Sequence, residues 1–140
     1  MITARTLISI AMLVALATSH ANATSATLIC KLTVMNAAYD EKGNVGRTSV
    51  QERTRVLIVE EEKIATENNL QFNSCARDEF FMKCSGGYYA TTASQHTHFL
   101  SLSRVSGEID MQAYLKNATG TLTNFTHEIG VCEKTNRKLF

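Results

Sequence analysis

Alternation of polar and apolar residues is the feature that most restricts the folds open to this sequence. In residues 27–34 every second side chain is apolar, and a similar alternation recurs in residues 98–104 and 108–115. Because successive side chains of an extended chain point to opposite faces, each segment is typical of a strand with one buried face. The sequence therefore predicts a fold that is built from half-buried strands.

Short turn signals separate these segments. Residues 40–44 form a polar cluster with a glycine, Gly107 closes a short turn before residue 108, and residues 117–120 provide another turn. The pattern predicts roughly seven to nine short strands and no helix. The expected fold is an all-β antiparallel meander, either a small closed barrel or a two-layer sandwich.

One segment also has a helical interpretation. Ser49-Val50-Gln51-Glu52 fits a capping box, which would begin a helix over residues 50–66. The helix would need apolar residues at a spacing of three to four, and residues 53–55 and 60–63 supply none. The run Val56-Leu57-Ile58-Val59 therefore indicates a strand.

The first residues have the pattern of a secretory signal peptide. Arg5 precedes an apolar run over residues 7–17, which is too short to cross a membrane. Ala21-Asn22-Ala23 then supplies the small residues that a signal peptidase accepts. We expect residues 1–23 to be a signal peptide and residues 24–140 to be one β domain, periplasmic or secreted, with no membrane helix after cleavage.

The sequence contains four cysteines, all of them after residue 23. An even number in an exported domain of this size predicts two disulfides, for which three connectivities exist. We favour Cys75–Cys84, because the residues between them can form a turn with a short strand on each side. Cys30 would then pair with Cys132 near the other end of the domain, where chain termini often meet. The other two pairings remain open.

Residues 99–107 (Phe-Leu-Ser-Leu-Ser-Arg-Val-Ser-Gly) and Gly130-Val131-Cys132 resemble many small exported proteobacterial proteins. Those proteins carry an alternating strand, an Arg-x-Ser/Thr-Gly turn, a second strand and a closing Gly-x-Cys. The resemblance covers the C-terminal part of the chain and implies a small periplasmic β domain of unassigned activity. A more distant similarity is to periplasmic lysozyme inhibitors, although Ser106-Gly107 is not followed by the tyrosine of their inhibitory loop.

Charge and motif content narrow the function classes. Fourteen Lys and Arg balance thirteen Asp and Glu, so the chain has no basic field of the kind that binds nucleic acid. We find no cofactor motif and no Gly-x-Ser-x-Gly turn that would expose a nucleophile. The expected function is a non-enzymatic binding or inhibitor-like domain for a protein or small ligand. A structural envelope component whose sheet edge pairs with a partner is an alternative.

A metal site is the other alternative. His96 and His98 lie two apart on a predicted strand, so both imidazoles could meet one ion, with His127 as a third ligand. The protein would then be a small metal-binding protein or a metal-dependent hydrolase. The competing interpretation, which we favour, is that His96 and His98 are solvent-facing residues at the start of a strand.

The expected contact surface is a loop over residues 85–89. Gly86-Gly87 predicts an interruption of the strand, where the backbone could approach a partner closely. Tyr88 and Tyr89 could then anchor an interface. Arg53 and Arg55 share a strand face and are a weaker candidate for contact with an anion, or else a charged edge strand.

Removal of the signal peptide is directly testable. We expect the exported protein to begin at or near Thr24, because residues 21–23 match the cleavage pattern. Intact-mass spectrometry of the exported protein measures the new N-terminus. A start far from Thr24, or recovery of the protein in the membrane fraction, would contradict the prediction.

Overall fold

The computed structural model describes residues 25–91 and 94–135, except for the side chains of residues 88–91. The predicted signal peptide lies outside these residues. Nine strands make up the described fold. They are β1 (Ala26–Tyr39), β2 (Val45–Val59), β3 (Ile64–Thr66), β4 (Gln71–Phe72), β5 (Ser74–Arg77), β6 (Phe81–Thr91), β7 (Ser94–Ser103), β8 (Glu108–Asn117) and β9 (Leu122–Lys134).

The strands form one antiparallel sheet in the order β4-β3-β2-β1-β9-β8-β7-β6-β5. Every ladder joins neighbours in the chain except one, in which β1 pairs with β9. The two edge strands, β4 and β5, follow each other with only Asn73 between them. The sheet therefore curls into a nearly closed barrel. The predicted all-β antiparallel fold is confirmed, and of the two expected forms the barrel is the one present.

The predicted strand at residues 53–60 is also confirmed, since β2 covers it up to Val59.

The turn at residues 40–44 connects β1 with β2, where Asp40 Oδ1 accepts hydrogen bonds from the backbone of Lys42 and Asn44. Gly107 has a φ of 75° in the turn between β7 and β8, a conformation that glycine adopts without a steric penalty.

The predicted disulfides are both present, Cys30–Cys132 and Cys75–Cys84. Each joins two residues that lie directly opposite each other in adjacent antiparallel strands. The first bond crosses the β1–β9 ladder, and the second crosses the β5–β6 ladder. Two disulfides in a chain of this size are typical of an oxidising compartment.

The alternation in the sequence sets the core. Cys30, Leu32 and Val34 of β1 are buried, as predicted. Together with inward-facing residues of the other strands they fill one end of the barrel with apolar side chains, which include Leu57, Ile64, Phe72, Met82, Leu100, Leu102, Ile109 and Met111.

The described residues contain no helix that is long and apolar enough to cross a membrane.

The predicted break at Gly86-Gly87 is wrong, because both glycines lie inside β6 and pair with His98 and Thr97 of β7. Gly86 is needed inside the strand for a steric reason. A Cβ at Gly86 would lie 2.6 Å from the carbonyl oxygen of Gln71 and would collide with the ring of His98. A glycine inside a strand often marks such a close approach, so Gly86 makes room for a side chain of the interior rather than ending the strand.

We expect the two disulfides to differ in their contribution to stability. They close loops with sequence separations of 102 and 9 residues. In the chain-entropy model these loops are worth roughly 5 and roughly 2.5 kcal/mol of unfolding free energy. Denaturant unfolding of Cys30→Ala/Cys132→Ala should therefore show the larger loss, and Cys75→Ala/Cys84→Ala the smaller. Equal losses, or the reverse order, would contradict the prediction.

Candidate functional site

The candidate site is a cavity of about 210 Å³ inside the barrel, beyond the apolar core. Phe72 and Met111, which belong to the buried core, line part of it. Leu70, and Gln112 and Ala113 of β8, also border it. The remaining lining residues are polar and come from β1, β2, β7 and β9, namely Asn36, Arg53, Arg55, His96, His98, Thr126 and Glu128. Because strands carry these side chains, their positions are fixed by the sheet rather than by loops.

A buried ion pair forms the best-defined contact of the cavity. Arg55 donates to Glu128 through two hydrogen bonds, Nε to Oε2 and Nη2 to Oε1, each 2.6 Å long. Glu128 is only 4% exposed. These hydrogen bonds are the main reason that the pKa of Arg55 lies above its ordinary value. A bidentate pair of this kind fixes both side chains. The Arg55 guanidinium is therefore already bound by Glu128 and is not available to bind an anion.

Arg53 lies two residues earlier on the same face of β2. Its guanidinium approaches Glu128 only to 3.9 Å, and its side chain is 43% exposed. Since Glu128 is already bound by Arg55, the charge of Arg53 is only weakly compensated. Both predicted anion contacts line the cavity, and Arg53 is the one whose guanidinium is not already hydrogen-bonded to Glu128.

His96 and His98 share a strand face, as predicted, but His98 is buried and not at the surface. It is 2% exposed and packs edge-on against Phe72, with ring centroids 4.6 Å apart. Its Nε2 lies 2.8 Å from the carbonyl oxygen of Gln71, and its Nδ1 lies 3.2 Å from Nδ1 of His96. The surface interpretation fails because residue 98 faces the same interior as Leu100 and Leu102.

The contacts of His98 determine the tautomers of the neutral pair. A carbonyl oxygen only accepts, so Nε2 of His98 must carry a proton, and its Nδ1 is then the acceptor. His96 therefore donates from Nδ1.

The pKa of His96 is lowered below its ordinary value of 6.5, first by burial and then by the nearby His98. The unfolded chain thus binds a proton at this residue at a higher pH than the folded chain does. The neutral ring contributes stability that is present above about pH 6.5 and is lost as the pH falls through the lowered pKa.

His127, the third predicted metal ligand, lies on the outer face of the sheet. Its Nε2 contacts Oδ1 of Asp110 at 3.1 Å, and its ring lies beside Phe125. Residues 126 and 128 point into the barrel, so residue 127 must point out. The three histidines therefore do not converge. No cluster of three or more potential metal ligands occurs within residues 25–91 and 94–135.

The other predicted contact residues lie near the cavity but not in a loop. Gly86 lies opposite His98, and Tyr88 is the register partner of His96. The side chains of Tyr88 and Tyr89 lie outside the described part of the structure. Their role in binding, together with that of Gly86 and Gly87, stays a prediction.

The sequence did not lead to Glu128, whose carboxylate adds a negative charge to the two arginine charges of the cavity. A signal was present, because Glu128 and Cys132 have the same parity on β9 and both face inward. The alternation therefore places a carboxylate inside the barrel, where only a buried cation can balance it. Asn36 and Thr126, which are joined by a hydrogen bond of 2.9 Å, follow the same parity.

Comparison of the chain with family models, with curated proteins and with solved structures found no match. The resemblance to small exported proteobacterial proteins consequently stays a prediction. The candidate site is defined by its own geometry.

The Glu128 carboxylate should be essential to stability. We expect Glu128→Gln to lower the free energy of unfolding by about 3–5 kcal/mol, because it removes the hydrogen-bonded partner of the buried Arg55 and leaves only the more distant Glu67 carboxylate. Glu67→Gln is the matched control, since Glu67 is half-exposed and 4.0 Å from Arg55, and its loss should stay below about 1 kcal/mol. Denaturant unfolding measures both, and similar losses would contradict the assignment.

Proposed function

We propose that this protein is an exported, non-enzymatic binding domain that takes a small anionic ligand, such as a carboxylate, in the cavity of its barrel. The observation that carries the proposal is the Arg53 guanidinium, which lines the cavity and is only weakly paired. A planar guanidinium recognises a carboxylate or phosphate through paired hydrogen bonds.

The charge of the cavity supports an anion over a cation. Arg53 and Arg55 contribute two positive charges, and Glu128 contributes one negative charge. The lowered pKa of His96 favours its neutral form at neutral pH. The Arg55–Glu128 pair cancels internally, so the net positive charge belongs to Arg53.

The shape of the cavity supports a small ligand. Its volume of about 210 Å³ lies below the range of about 300–1,000 Å³ that is typical of pockets for drug-sized molecules. Phe72 and Met111 offer apolar contact on one side, and Asn36 and Thr126 offer polar groups on another. This combination suits a short organic acid better than a bare inorganic ion.

Anion binding can be tested by NMR titration of the folded protein with acetate, succinate and phosphate. We expect at least one organic acid to shift the amide signals of β2 and β7, and Arg53→Gln to weaken its binding at least tenfold. A hydrogen bond to a charged group is worth about 1.5–3 kcal/mol, and a factor of ten in affinity equals about 1.4 kcal/mol.

The matched control is Lys31→Gln. It removes the same charge from the neighbouring strand, where Lys31 is exposed and faces away from the cavity, opposite Thr54. Its effect should be less than about threefold if binding depends on the cavity and not on general attraction. Equal weakening in both variants, or no shift with any of the three anions, would overturn the proposal.

A further inference from the structure

The N-terminal part of β2 is an uncovered edge. β2 pairs with β1 along its whole length, from Val45 to Val59, but it pairs with β3 only through Leu57–Val59. Beyond that ladder, Val56 forms two hydrogen bonds with Glu67. The Val56 N–H donates to the Glu67 side-chain Oε2, and the Glu67 backbone N–H donates to the Val56 carbonyl oxygen. Within the described residues, no strand pairs with the outer edge of residues 45–55.

The contact of Val56 shows which backbone groups face this edge. Its N–H and C=O point away from β1 toward Glu67, and the direction alternates along a strand. The even-numbered residues before it therefore direct their N–H and C=O groups outward. These residues are Thr48, Val50, Glu52 and Thr54.

A row of outward-facing donors and acceptors is a template for another strand. Natural proteins often protect such rows with charged side chains, a proline, a bulge or a covering loop. Here the sequence contains no proline, and the one bulge of the β1–β2 ladder lies at the far end, between Ala38 and Tyr39. Val50 is 69% exposed in the middle of the edge.

The charges along the edge select the partner. Arg47 and Arg53 lie on the concave face, three residues to either side of Val50. Arg47 makes no ion pair within the described part of the chain. A second copy of the chain that paired antiparallel about Val50 would place Arg47 directly opposite Arg53. Like charges at such positions are destabilising, so the edge favours an acidic segment over a copy of itself.

We propose that the edge of β2 binds an extended acidic segment of a partner polypeptide, which adds to the sheet as a further strand. Cross-strand pairing fixes its pattern: one apolar residue opposite Val50 and an acidic residue three positions to either side, facing Arg47 and Arg53. This surface differs from the anion cavity, although Arg53 borders both, so the test relies on Val50 and Arg47.

The probe is the synthetic peptide acetyl-Thr-Glu-Thr-Thr-Val-Thr-Thr-Glu-Thr-amide, and its binding is followed by NMR titration of the full domain. We expect saturable binding below about 1 mM, with the largest shifts at the amides of the four outward-facing residues. Val50→Pro should weaken binding at least tenfold, since proline removes the central donor and its ring obstructs the ladder.

Val50→Thr keeps the N–H group and should bind the peptide within about threefold of the unsubstituted protein. Arg47→Gln should weaken binding about two- to fivefold, as expected for one cross-strand charge pair. A peptide that is N-methylated at the amides facing β2 should not bind. This last measurement leaves the protein unaltered, so it applies even if Val50→Pro does not fold.

Three results would overturn the inference: no binding of the peptide, equal binding by the N-methylated peptide, or shifts confined to β6 and β7. A concentration-dependent dimer that Val50→Pro abolishes would also overturn it, because the edge would then serve a second copy. Arg53→Gln with acetate or succinate tests the cavity separately, so the two proposals can fail independently.

Discussion

The pairing of β1 with β9 closes the sheet and thereby sets the interior of the barrel. It joins the first and last described strands, which turns a linear meander into a ring. Cys30 and Cys132 face each other in this ladder, and the disulfide between them closes a separation of 102 residues. Once the ring exists, every strand has an inside and an outside. The alternation of the sequence then decides which side chains enter the barrel.

The interior is divided along its length because the alternating positions change character. Toward the Cys30–Cys132 bond the inward residues are apolar, and further along β1 and β9 they become Asn36, Thr126 and Glu128. A carboxylate inside the barrel requires a cation, which Arg55 supplies. That pairing leaves Arg53 as the weakly compensated charge of the cavity. The candidate site is thus a consequence of how one buried carboxylate is neutralised.

Much of the fold was accessible from the sequence because strands follow a local rule. Period-two alternation predicted β1, β7 and β8, and the spacing of the cysteines favoured the two bonds that are present. The candidate site was harder to predict from the sequence than the fold. His96 and His98 were correctly placed on one face, but the burial of His98 depends on Phe72 and Gln71, which approach from β4. Such a contact between distant segments leaves no periodic trace in the chain.

The all-β class and the two disulfides follow from local features of the chain, because alternation and turn residues act over a few neighbouring positions. Three features depend instead on the packing of distant segments: the pairing of Arg55 with Glu128, the separation of His127 from the other histidines, and the space that Gly86 leaves for His98. The same packing leaves the first part of β2 without a second neighbour among the described strands. These outcomes depend on which strands meet around the ring and on where the short strand β3 ends, and both are fixed by long-range pairing.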